Sequence, residues 1–266
     1  MFTMLEYEFM RNAFVASAIV GIVAGAVGYF LVLRGQTFAG HALAHVGFPG
    51  ATGAVLVGLS PFFGLTAFTL AAGIGIGLLG ERAHRDVAIG IVLTLSLGLG
   101  LLFLHFYTSN AAQATSVLFG NVLGIGFHTV LVLAAMALVT LAALTFIARP
   151  LLFASLQPEL AEAKGVRPEL VSMLFMVIVA IATAEATQIV GVLLVFALMV
   201  APAATSLLLT RGVLAGIVAS ILIAIAIAWA SLVLAYLTDW PTSFFITALG
   251  AGAYLLAAIA NKSRGA

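Results

Sequence analysis

The sequence predicts an all-α integral membrane protein, a polytopic bundle of about nine helices that cross the bilayer. Of its 266 residues, 64% are hydrophobic and only 7% are charged, whereas about a quarter of the residues of a soluble domain are charged. The apolar runs are continuous and about twenty residues long, which is the length a helix needs to cross the hydrocarbon core. Strands of a membrane barrel would alternate between apolar and polar residues instead.

The expected spans follow one another with short polar breaks. In chain order they cover residues 13–33, 39–59, 62–80, 87–106, 128–148, two crossings within 170–209, 213–237 and a last span ending near 260. The two crossings in 170–209 are expected to separate near residues 185–191. The Gly-rich piece 117–126 is too short to span and is predicted to be re-entrant or interfacial. The alternative interpretation is eight spans, with both termini in the cytoplasm.

The basic residues favour the count of nine because they fall in alternate loops. The loops after the first, third, fifth, seventh and ninth expected spans hold Arg34, Arg82, Arg85, Arg149, Lys164, Arg167, Arg211, Lys262 and Arg264. Cytoplasmic loops are enriched in Lys and Arg, so the C-terminus is expected in the cytoplasm and the N-terminus outside. Residues 1–266 then form one transmembrane domain. The net charge of +1 gives no reason to expect a nucleic-acid partner.

Ionisable side chains are rare inside the expected spans, and each is therefore a candidate for a functional site. His41 and His45 are four residues apart, so their rings lie on one side of a helix, one turn apart. Such a pair can present two imidazole nitrogens to one divalent cation. The alternative is two polar residues that hydrogen-bond to neighbours at a helix start. Glu185 is the one carboxylate in the run 177–200, where it is predicted to be a third ligand or a gate, or to cap an outward turn.

The longest polar segment, residues 150–168, contains a short predicted helix. In the stretch LQPELAEAKG, residues 156–165, Pro158 suits a first helical turn and Gly165 lies just past the end. The leucines of this stretch share one side. The segment is interpreted as a cytoplasmic docking helix for a partner, with a helix lying on the lipid surface as the alternative.

Taken together, five stretches resemble the permease family of zinc and manganese ABC importers, and the resemblance runs through most of the chain. They are GYFLVLRGQTFAGHALAHVGFPG, RDVAIGIVLTLSLGLGLLFL, LFGNVLGI, LQPELAEAKGV and VGVLLVFALMVAPAATSLLLT, in the family's order. The resemblance implies a homodimer in a bacterial plasma (inner) membrane, with a translocation path fed by an extracytoplasmic metal-binding protein. Two cytoplasmic ATPase subunits would drive it. The residues that would seat in the ATPase are Gln157, Pro158, Glu159, Leu160, Ala161, Glu162, Ala163, Lys164 and Gly165.

The same resemblance bears on the transported metal. His41 stands where many members of the family have Asp, and the family's metal site uses that position and the following histidine, here His45. Imidazole suits zinc, whereas carboxylate and carbonyl oxygens suit manganese. Zinc is therefore the favoured cargo, with manganese or iron as alternatives. No permanently bound cofactor is expected, only the transported ion.

The energy source separates the remaining hypotheses. A phosphate-binding loop needs Gly-Lys-Ser or Gly-Lys-Thr, but the two lysines follow Ala163 and Asn261, so an ATPase is expected only in a partner subunit. A secondary transporter driven by an ion gradient is the main alternative, and it would need several intramembrane carboxylates where Glu185 is the one candidate. An intramembrane metalloprotease is disfavoured because HALAH lacks the glutamate of His-Glu-x-x-His.

Overall fold

Ten helices form the described part of the chain in this computed structural model, which covers residue 4 and residues 6–79, 85–106, 120, 124–192 and 194–264. They are α1 (Glu8–Leu33), α2 (Thr37–Leu56), α3 (Pro61–Leu79), α4 (Arg85–His105), α5 (Phe127–Leu156), α6 (Pro158–Ala163), α7 (Pro168–Val190), α8 (Val195–Leu209), α9 (Val213–Thr238) and α10 (Thr242–Arg264). Seven of them are long and apolar enough to cross a membrane, and α8 is a shorter apolar helix. The prediction of an all-α membrane bundle is confirmed.

Two boundaries refine the expected spans. The break within residues 170–209 lies at Gly191, where α7 ends and the backbone φ is 81°. The fifth span was expected to end at Ala148, but α5 continues to Leu156 with Pro150 inside it. A proline inside a helix removes one backbone donor and crowds the carbonyl four residues earlier, yet α5 remains helical through Arg149 and Pro150. The stretch 117–126, predicted to be re-entrant, falls largely outside the described residues.

Helices α1 and α7 form the centre of the bundle, since most of their residues are buried. Phe30 of α1 and Phe175 of α7 pack with their ring centroids 6.5 Å apart. Around this pair, α3 packs on α2 and α7, and α9 packs on α1 and α8. Helix α4 lies at one edge against α2, and α10 lies at another edge against α8 and α9. The exposed apolar side chains of α4 and α10 suit contact with lipid or a second chain.

The contact between α1 and α8 depends on a glycine at residue 28. A Cβ added to Gly28 would lie 2.0 Å from the carbonyl oxygen of Met199, far inside van der Waals contact. We therefore expect Gly28→Ala to force the two backbones apart and to destabilise the protein by about 1–3 kcal/mol, the usual cost of overpacking. The thermal unfolding temperature of the purified protein in detergent measures this effect.

Gly75→Ala on α3 is the matched control, because nothing lies within 4 Å of a Cβ added there. Exchanging Gly for Ala inside a helix stabilises it by about 0.5–1 kcal/mol when space allows. The control is expected to unfold at the temperature of the unaltered protein or higher. Equal unfolding temperatures for the two variants would show that α1 and α8 do not pack this closely.

Candidate metal path

The two histidines lie one turn apart on α2, as their spacing predicts. The ring centroids of His41 and His45 are 4.6 Å apart, with the ring planes at 76°. The ring of Phe196, at the start of α8, contacts His41 at 4.9 Å and 72°. Both histidines are half-buried. His41 therefore contacts both His45 of its own helix and an aromatic side chain from a distant part of the sequence.

One atom of each histidine lacks an ordinary hydrogen bond. Nδ1 of His41 is buried and has no hydrogen-bond partner. Pro49 lies inside α2, and because proline has no N–H, the backbone carbonyl of His45 lacks the hydrogen bond that residue i+4 donates in a regular helix. A buried polar atom without a partner costs about 1–3 kcal/mol. An unpaired imidazole nitrogen of this kind is a ligand that a divalent cation can take.

Glu185 is the second unusual group. It is fully buried on α7, and neither Oε1 nor Oε2 has a hydrogen-bond partner. An ionised carboxylate in such a place is costly unless it meets a cation or takes up a proton. Its neighbour Ala184 forms a small buried cluster with Ala51 of α2 and Leu65 of α3. This turn of α7 thus packs beside a part of α2 that begins six residues beyond His45.

The structure brings His41 and His45 together but does not add Glu185 to them. Among the described residues, no group of three or more His, Asp and Glu side chains could hold a metal ion. The predicted set of three ligands is therefore not assembled within one chain in this conformation. Two nitrogens alone are fewer than the four ligands that zinc usually takes.

Sequence reasoning missed two features of this site. The effect of Pro49 could have been found from its spacing of four residues from His45. The contact of Phe196 with His41 could not, since 155 residues separate them and only the packing of α8 beside α2 joins them.

A short helix, α6, is present where the sequence predicts one. Pro158 occupies its first turn, and Gly165 follows its end at φ 82°. The amide of Val166 donates to the carbonyl of Ala161 at 3.0 Å, and that of Gly165 donates to Glu162 at 2.9 Å. These two bonds form a Schellman motif, which ends helices at a left-handed glycine.

The surface of this segment is apolar on one side and uncovered. Leu156 is 61% exposed and Leu160 is 47% exposed, whereas Ala161 is fully buried against the bundle. Two large aliphatic side chains in a polar, mostly exposed segment form a surface suited to a protein partner or to lipid.

Comparison with known proteins supplies the family. Residues 6–261 match the ABC 3 transport family. The chain belongs to the ABC 3 transport family. This ABC 3 permease is 32% identical over 210 residues to "Manganese transport system membrane protein MntC" of Listeria monocytogenes, covering 78% of this chain and 75% of that protein. The metal ABC permease family expected from the sequence motifs is confirmed.

Two further relatives extend the comparison over nearly the whole chain. The ABC 3 permease is 30% identical over 263 residues to "Probable iron transport system membrane protein" of Haemophilus influenzae, covering 98% of this chain and 96% of that one. Its fold matches the solved structure titled "PsaBC from Streptococcus pneumoniae in complex with Fab" with a TM-score of 0.85 and 28% identity. That match covers 96% of this chain and 92% of the other. In ABC importers of this family, ATP hydrolysis belongs to a separate subunit.

Proposed function

We propose that this permease is the membrane-spanning subunit of an ATP-driven importer of divalent metal ions, with zinc as its preferred cargo. The observation that carries the proposal is the His41–His45 pair, which holds a buried nitrogen without a partner in a chain of a metal ABC permease family. Manganese and iron are the alternative ions, and they are the metals in the names of the two curated relatives above.

The path we propose runs past the histidine pair. An extracytoplasmic binding protein delivers the ion in a bacterial plasma membrane, and ATPase subunits at the cytoplasmic face open the path alternately to the two sides. His41 and His45 would bind the ion through imidazole nitrogens. Glu185, which has no partner for either carboxylate oxygen, would form a separate station on the same path. The C-terminus lies in the cytoplasm in this arrangement.

A second copy of the chain would complete the path. Phe196, which contacts His41, also lines an open groove of about 390 Å³ between α8 and α10. The groove is lined almost entirely by apolar side chains, among them Val200 and Tyr254. Because Phe196 joins the histidine pair to this uncovered apolar face, a homodimer formed there would cover the side of the pair on which Phe196 lies. This supports the two-copy arrangement that the family resemblance implies.

The choice of zinc depends on His41. Two imidazoles form a softer ligand set than a carboxylate and an imidazole, and soft nitrogen ligands favour zinc over manganese. The proposal therefore has two parts. Import of divalent metals is supported by the family, whereas the preference for zinc is supported only by these side chains.

Uptake into proteoliposomes tests both parts. The permease is reconstituted with its ATPase subunit and binding protein, and radioactive zinc uptake is followed with ATP, with a non-hydrolysable analogue, and with manganese as competitor. We expect uptake only with ATP, and weaker inhibition by manganese than by unlabelled zinc. Uptake driven by a proton gradient without ATP would favour the secondary-transporter alternative. Stronger inhibition by manganese than by zinc would contradict the zinc preference alone.

A further inference from the structure

A chain of polar side chains joins the turn between α1 and α2 to the helices on either side of α6. Nη1 of Arg34 donates to Oγ of Ser155 at 2.9 Å, and Nε of Arg34 donates to Oε1 of Gln36 at 3.2 Å. Nε2 of Gln36 in turn donates to Oγ of Ser172 in a longer contact of 3.5 Å. The Arg34 guanidinium also lies over the ring of Phe175, 5.8 Å from its centroid. One guanidinium thus contacts α5, α7 and the start of α2.

The turn that carries Arg34 is closed by two backbone hydrogen bonds. Gly35 has φ 64°, the amide of Gln36 donates to Leu31 at 3.0 Å, and the amide of Gly35 donates to Val32 at 3.0 Å. These two bonds form a Schellman motif, which ends α1. The last residue of the motif, Gln36, directly precedes α2. Gln36 is therefore both part of the cap of α1 and the N-cap residue of α2. Gln36 thus connects the end of α1 directly to the start of α2.

The partners of this turn flank the docking segment. Ser155 lies in the last turn of α5, and its hydroxyl also donates to the carbonyl of Leu151. Ser172 lies near the start of α7 and is buried. Between them lie residues 156–171, which include α6 and the first turn of α7. The helices on both sides of the segment proposed to seat in the ATPase are therefore hydrogen-bonded to the turn between α1 and α2. Helix α2, which follows this turn, carries His41 five residues after Gln36.

We propose that Arg34 is a positioning residue that transmits movement of the docking segment to the histidine-bearing helix α2. The inference rests on the proposed function, since it assigns a role within ATP-driven transport. Arg34 does not contact the ion. Instead, its planar fork of donors holds Ser155 and Gln36 at once, a geometry that the single ammonium of a lysine cannot reproduce. Loss of this connection leaves the ATPase bound and active but poorly linked to opening of the path.

The test measures metal ions transported per ATP hydrolysed, using the whole transporter in proteoliposomes with zinc-loaded binding protein. We expect Arg34→Ala to lower this ratio by at least about fivefold, the lower end of typical coupling between distant sites, while the complex still assembles and hydrolyses ATP. Arg34→Lys is expected to restore the ratio in part, because one ammonium can reach Ser155 or Gln36 but not both. A ratio equal to that of the unaltered transporter would overturn the inference.

Two further variants keep the test decisive if Arg34→Ala fails to assemble. Ser155→Ala removes only the acceptor on α5 and is expected to lower the same ratio to a lesser degree; an unchanged ratio would count against the connection. Arg149→Ala is the matched control, because it removes an exposed guanidinium from α5, six residues before Ser155. This variant is expected to leave the ratio unchanged. Absence of ATP-dependent uptake in the unaltered transporter would instead contradict the proposed function itself.

Discussion

Replacement of His41 or His45 by alanine is expected to abolish ATP-driven zinc uptake while the transporter still assembles. Each variant removes one of the two imidazole nitrogens that lie together on α2. Loss of a residue that merely supports a metal ligand already costs about 10- to 100-fold in affinity or activity, so loss of a ligand is expected to lower uptake by at least that factor. Uptake of radioactive zinc, compared at equal amounts of assembled complex, measures the effect.

His128→Ala is the matched control. His128 is an exposed histidine at the start of α5, so the same substitution there removes an imidazole without touching the pair, and full uptake is expected. If zinc uptake survives both His41→Ala and His45→Ala, the pair is structural and the ion must bind elsewhere. The buried carboxylate of Glu185 would then be the next group to alter, through Glu185→Gln.

The sequence predicted those parts of the molecule that depend on neighbours along the chain. The spacing of His41 and His45 sufficed to place their rings together, and Pro158 and Gly165 sufficed to bound a helix of six residues. The prediction failed where a helix continues through a charged residue and a proline, as α5 does at Arg149 and Pro150. Residues 151–156, which follow this pair, are mostly apolar, so the hydrophobic pattern itself does not mark Ala148 as the end of the helix.

Contacts between distant residues were out of reach for a different reason. Arg34 and Ser155 are separated by 121 residues, and Arg34 read alone is one more basic residue in a loop. Glu185 could be recognised as costly in a membrane, but its position relative to the histidines depends on how α7 packs against α2 and α3. When that packing is not known, the three ionisable residues in apolar runs are interpreted as one set of metal ligands.

Replacement of Leu160 by glutamate is expected to prevent the ATPase from binding. Leu160 is a large apolar side chain that is about half exposed, whereas its neighbour on α6, Ala161, is fully buried. The side chain of Leu160 is therefore available to a partner. Truncating a hot-spot residue at the centre of an interface costs at least about 2 kcal/mol, which is about a 30-fold change in dissociation constant, and a buried glutamate in that place adds an unpaired charge. The dissociation constant of the detergent-solubilised permease with its ATPase subunit measures the change.

Leu237→Glu is the control for this substitution. Leu237 is more exposed than Leu160, at 68%, and it lies at the end of α9 opposite the loop that carries Arg211, so the ATPase is expected to bind this variant normally. The comparison decides between the two interpretations of the docking segment. If α6 lies on the lipid surface, a charge at Leu160 weakens its hold on the bilayer and leaves ATPase binding unchanged. If α6 is the seat of the ATPase, binding and ATP-driven uptake are lost together.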